Sequence, residues 1–379
     1  MKKVLLFIIF AALLFIILCP SAAAAGKDNE TEEIYGRQLS VSGADKLYDS
    51  LPADIKEKLR NNDIRGFRAD ADMGRIFISI VRNTVSSSGT VMKSFTACVA
   101  IMLICAVFHS TGLVSAGASL SRICAAAASA GICLSAAIPA GELIGRCTEL
   151  INGASGVLLL YIPVMTGLMV SSGCENAAAS YYSVLMFTGN LVSRIASGLL
   201  DPMMNVFLAL SVTSSISGKL RFSSFCEAVY KSVRWILVLL MGIFTAALSG
   251  GTLASSSLDR ISHRTLRYVV GSFVPIVGNV LGETLGAFSG SLELLRSGAG
   301  VFVIIVSGCL FLPLLTECII WRIALSLLSG ISDILGESEI KPVFSAISTA
   351  VAMITAVMMC VLTIFIISSV TVILSGSGG

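Results

Sequence analysis

Ala346–Leu374 reads AISTAVAMITAVMMCVLTIFIISSVTVIL, twenty-nine residues without a single charge. A helix needs about 20 apolar residues to cross the hydrocarbon of a bilayer, so this stretch places the chain in a membrane. Reading backwards from it, apolar segments recur at Ala299–Ile320, Val269–Phe288, Ile236–Leu253, Met203–Ile216, Ala177–Leu199, Gly156–Val170, Ile123–Ile138 and Ser94–Val114. Several are shorter than a full span, and short Gly- or Pro-broken segments can be half-helices or re-entrant pieces. The expected fold is all-α and polytopic, with about seven to nine membrane segments, some of them re-entrant in one reading.

Composition agrees. Only 13% of the 379 residues are charged and 55% are apolar, with a mean hydropathy of +0.90. Soluble domains carry about 25% charged residues. A soluble enzyme and a nucleic-acid binder are thereby excluded, and a net charge of +3 is too small to imply a polyanionic partner. Of the 49 charges, 20 fall between Lys27 and Arg75.

The N-terminus carries Lys2 and Lys3, then fifteen apolar residues from Val4 to Leu18, then several A-x-A frames in Ser21–Gly26. That is the layout of a secretory signal peptide, expected over residues 1–25; an uncleaved anchor is the alternative. Residues 26–90 then form a charged extracytoplasmic region. Leu47, Leu51, Ile55 and Leu59 recur every four residues there, which suits either a small helical hairpin that positions the first span or a docking surface for an extracytoplasmic partner. Residues 91–379 are the multi-span membrane domain.

Basic residues mark topology. Lys219, Arg221, Lys231 and Arg234 surround a single acid, Glu227, and read as a cytoplasmic loop. Arg260, His263, Arg264 and Arg267 lie on one face of a second, amphipathic stretch opened by Ser256 and Asp259, as in an interfacial helix anchored to lipid phosphate. A G-E-x-x-G element occurs twice, at Gly141–Gly145 and Gly282–Gly286. Arg194-Ile-Ala196 is echoed by Arg322-Ile-Ala324, so an internal repeat or chance in an apolar chain are both open.

Catalytic signatures are missing. The sequence has two histidines, no H-E-x-x-H, no G-x-S-x-G, no Walker A and no C-x-x-C. No enzymatic activity, cofactor, metal or disulfide framework is expected. The remaining candidates are ionisable and amide groups in apolar surroundings, which usually face a bundle interior or water. They are Asn190, Arg194 and Asp201; Asn279 and Glu283, on a helix beginning near Pro275; and Glu317 and Arg322. Each set reads as a polar lining or an intersubunit contact, with snorkelling as the plainer reading for Arg194 and Arg322. Gly-, Ala- and Ser-rich helices suit close packing within the chain or against copies of it.

The run Arg264-x-x-Arg267, Gly271-x-Phe273-Val274-Pro275-x-Val277-Gly278, Leu294-Leu295-Arg296 and Gly300-Val301 resembles the stage III sporulation protein AE family. Phe273, Pro275 and Gly278 form its structural turn. The family more often has Lys at the positions of Arg267 and Arg296. The resemblance implies a non-enzymatic membrane subunit of the mother-cell-to-forespore channel, a secretion-like complex also called a feeding tube. It implies residence in the outer forespore membrane and a need for the protein in late forespore gene expression. It also implies partners: other proteins of the same operon, among them a secretion-type ATPase and a ring-forming protein, and a channel protein from the forespore. Membrane lipid is expected around the chain and a homo-oligomer is open; no nucleic acid is expected. A self-contained secondary transporter of a small solute is the competing function.

Overall fold

In a computed structural model, residues 89–110, 127–171, 175–216, 222, 224–247, 306–308, 310–336 and 340–376 are described, together with residue 82. Nearly all of the described residues are helical, and six helices are long and apolar enough to cross a membrane. We label them α1 (Gly89–Ser110), α2 (Ala127–Ser171), α3 (Glu175–Ser215), α4 (Ser224–Ala247), α5 (Val306–Ile334) and α6 (Lys341–Gly376).

Two pairs of expected short segments merge. The described part of Ile123–Ile138, from Ala127 on, and Gly156–Val170 lie on α2, which runs unbroken for 45 residues; Ala177–Leu199 and Met203–Ser215 lie on α3, which runs for 41. At 1.5 Å per residue these are about 60–70 Å long, twice the hydrocarbon thickness of roughly 30 Å. The expected segment Val269–Phe288 lies outside the described residues, as do the expected signal peptide and nearly all of the charged N-terminal region.

The merger has a local cause. Pro139 and Pro202 each remove the N–H that would serve the carbonyl four residues back. Each is preceded by a wider π turn, Cys133–Ala137 and Ala196–Leu200. In the second, Asp201 N–H donates to Ala196 O, five residues back. Shifting the ladder by one residue keeps the helix going past the proline. Pro163 also sits inside α2, where the Thr166 hydroxyl donates 3.0 Å bonds to the Ile162 and Pro163 carbonyls.

α2, ending at Ser171, and α3, starting at Glu175, pack antiparallel. Leu143, Ile144, Cys147, Ile151 and Ala154 recur at helical spacing and are fully buried. Gly189 permits the close approach of the two helices: a Cβ there would lie 3.4 Å from Leu159 Cδ2. α5 and α6 make a second antiparallel pair, with Phe311 edge-on to Phe365 at 6.0 Å. α6 is the most buried helix and forms the centre, with Ile347, Val351, Ile354, Val357 and Met358 excluded from the surface. Tyr181 of α3 contacts Ser368 of α6 at 3.2 Å. We call the end holding Ser171 and Glu175 the upper end. The lower end then holds Ala127, Ile216 and the α5–α6 turn.

α4 corrects one expectation. Lys231 and Arg234 are on a helix, not in a loop. Val229, Val233, Leu237, Leu240 and Phe244 supply its buried stripe, and Glu227 pairs with Lys231 at 2.8 Å on the exposed face. Charges on one face lower the average hydropathy without interrupting the helix.

α5 ends in a turn at Gly336, φ +76°, whose N–H reaches Asp333 O at 3.4 Å. Lys341 then bridges to Asp333 at 2.8 Å. A left-handed residue with a Cβ costs about 1–2 kcal/mol. Gly336→Val is therefore expected to lower the unfolding midpoint of the purified protein, and Gly336→Asn, which tolerates this conformation better, to lower it less.

Candidate functional site

Midway along the bundle the apolar packing is interrupted by a polar belt. Arg146 of α2 forks onto Glu317 of α5, Nη1 to Oε2 at 2.9 Å and Nη2 to Oε1 at 2.6 Å. Two parallel charge-assisted bonds fix both side chains in one plane. The arginine side chain is 49% exposed and the glutamate 16%. The pair therefore has one face toward the outside and one toward the packed interior.

Two residues on, the Thr148 hydroxyl donates to Asp201 Oδ1 at 3.0 Å. Asp201 caps the π turn of α3, and Asn205 Nδ2 reaches its Oδ2 at 3.4 Å. One turn further up α2 and α3, the Ser193 hydroxyl donates to Asn152 Oδ1 at 2.6 Å. Buried Cys318 meets Thr355 of α6 at the same level. α2, α3, α5 and α6 thus each contribute a polar group to one cross-section.

Of the residues singled out in the sequence, Asp201 and Glu317 are in this belt and bonded. Arg194 is exposed and Arg322 half-buried, and neither makes an ion pair among the described residues. Asn190 is exposed and donates to Met186 O of its own helix at 2.8 Å. Glu317 and Arg322 sit in the middle of α5, not at its end. Asn279, Glu283, Phe273, Pro275, Gly278, Arg260, His263, Arg264 and Arg267 lie outside the described residues. So does the second copy of the G-E-x-x-G element; the first lies on α2 just below Arg146.

Sequence reasoning missed Arg146, Thr148, Asn152 and Ser193. The signal was present: Glu142, Arg146 and Glu149 recur at i, i+4 and i+7, which is one helix face. Among the described residues no group of three or more His, Cys, Asp or Glu could hold a metal ion. The belt has the chemistry of a fixed electrostatic contact that can hold helices in register and present charge outward.

A family model for stage III sporulation protein AE matches residues 55–377. The chain belongs to this family. The match takes in all six helices, the belt, and the Arg264–Val301 run. A stage III sporulation protein AE from Bacillus subtilis (strain 168) is 22% identical over 238 residues, covering 62% of this chain and 59% of that protein. The match thus spans less than two thirds of that relative's length. No solved structure matches the chain. Membership makes this stage III sporulation protein AE relative a sporulation protein with a membrane-helix body.

Proposed function

We propose that the chain is a non-enzymatic membrane subunit of the mother-cell-to-forespore channel, required for late forespore gene expression. The observation that carries the reading is the family match over residues 55–377. The belt supports it: exposed Arg194 and Glu149 and half-exposed Arg146 present charge outward from the bundle, as a subunit meeting partners would. In this reading the protein sits in the outer forespore membrane. A secretion-type ATPase and a ring-forming protein of the same operon act with it, a forespore protein completes the channel from the other side, and copies of the chain can assemble together.

The test is deletion of the gene in its host under sporulating conditions, with a reporter of late forespore transcription. Engulfment should finish while the reporter stays dark and the forespore shrinks. Normal spores would end the channel reading. A secondary transporter, the competing reading, would move a solute when purified alone into vesicles. The π turn beside Asp201 is the feature that favours it, since such turns often mark functional sites.

A further inference from the structure

We propose that the bilayer surrounds only the lower half of the bundle and that the polar belt lies in the headgroup layer, its exposed arginine facing lipid phosphate. The first observation is the register of α1. The Ser135 hydroxyl of α2 reaches Ser94 O at 3.4 Å, and a Cβ on Gly131 would lie 3.1 Å from Ile101 Cδ1. α1 therefore runs antiparallel to the lower part of α2. Extending this register puts Gly89 beside residues near 140, one to two turns below Arg146. α1 has 22 residues, about 33 Å of helix, which matches a single hydrocarbon layer. In this register residues 89–105 line α2 from near residue 140 down to Ala127, and α1 stops short of the belt.

The second observation is the cost of the alternative. α2 and α3 are too long for both halves to fit one bilayer, so a belt at the midplane would leave both ends outside. Glu149, Arg194 and Arg322 would then lie near the bilayer centre, with no ion pair among the described residues. A charged side chain at the bilayer centre is costly and rare, and three would lie there together. In the headgroup layer the same charges are solvated, and Arg194 gains phosphate oxygens.

The third is Trp235. It is 66% exposed and lies two residues from Leu237, whose carbonyl meets Cys360 Sγ of α6 at 3.9 Å. Cys360 is little more than one turn above Thr355, so Trp235 is at belt level, beside Lys231 and Arg234. Tryptophan collects at the membrane interface because its ring is apolar and its N–H polar. Above the belt, exposed Asn176, Ser183 and Asn190 recur every seven residues along one face of α3.

Native fluorescence tests this directly. The full chain is placed in vesicles of lipids brominated either just below the headgroup or near the chain terminus. Trp321 is buried and should be quenched by neither, so the signal comes from Trp235. Several-fold stronger quenching by the shallow bromines is expected. Stronger quenching by the deep bromines would put the belt inside the bilayer and overturn the proposal; so would no quenching by either. In a Trp235→Phe background, Leu134→Trp should be quenched by deep bromines and Phe187→Trp by neither set. Equal quenching of those two sites would also overturn it. Neither result depends on whether the protein serves a channel.

Discussion

Ile354→Asp is expected to remove the folded protein almost completely. Ile354 is fully buried on α6, where it is surrounded by the apolar faces of neighbouring helices. A carboxylate there has no partner, and burying an unpaired charge is among the few single changes that exceed 4–5 kcal/mol. Total stabilities are about 5–15 kcal/mol, so little folded population remains. Two controls separate burial from hydropathy. Ile354→Val keeps the shape and should cost about 0.5–1.5 kcal/mol. Ile334→Asp sits at the exposed end of α5, 85% accessible, and should stay within about 0.5 kcal/mol of the parent. The readout is the yield and thermal midpoint of monodisperse protein in detergent. If Ile354→Asp matches Ile334→Asp, α6 is not at the centre.

The second large effect is at the belt. Arg146→Ala leaves Glu317, only 16% exposed, without its bidentate partner. Removing one member of a buried pair costs about 3–5 kcal/mol. Because Arg146 is half-exposed and partly screened, we expect about 1–3 kcal/mol, in the range for an unsatisfied buried polar group. That is roughly a 5- to 150-fold loss in the folding equilibrium. The exchange Arg146→Glu with Glu317→Arg should recover most of the loss, since it restores the pair across the same gap. No recovery would mean that the two side chains do not meet. In sporulating cells the same series should track late forespore transcription if the belt also serves assembly.

How much of this was legible in the sequence depends on the scale. The all-α membrane class followed from uncharged runs such as Ala346–Leu374, because hydropathy over twenty residues is a strong signal. Helix continuity did not follow. Pro139, Pro202 and the Gly-rich stretch around Gly153 and Gly156 look like breaks, and a window average falls wherever Glu142, Arg146 and Glu149 enter. A π turn preserves the helix at a proline without any signature beyond the proline itself. The site was half-legible for a related reason. Asp201 and Glu317 stand out as charges in apolar runs, but their partners are set by the pairing of distant helices. Thr148 and Arg146 approach Asp201 and Glu317 from 53 and 171 residues away. No local pattern encodes that distance. The buried stripe of α4 was readable at i, i+4 and i+8, yet its charged outer face made it look like a loop.

The central position of α6 also sets an order of events during synthesis. The ribosome makes α1 to α5 first, and they enter the membrane before the helix that fills the space between them exists. Until α6 arrives, the inward faces of α2, α3 and α5 have only lipid or each other to touch. Inward-facing Asp201 and Glu317 must find partners in that interval without it. Completion is therefore a late, single step, in which one apolar helix displaces lipid from the middle of a waiting cage. A stop codon anywhere in α6 would leave the cage unfilled, whatever the length of correct chain already made.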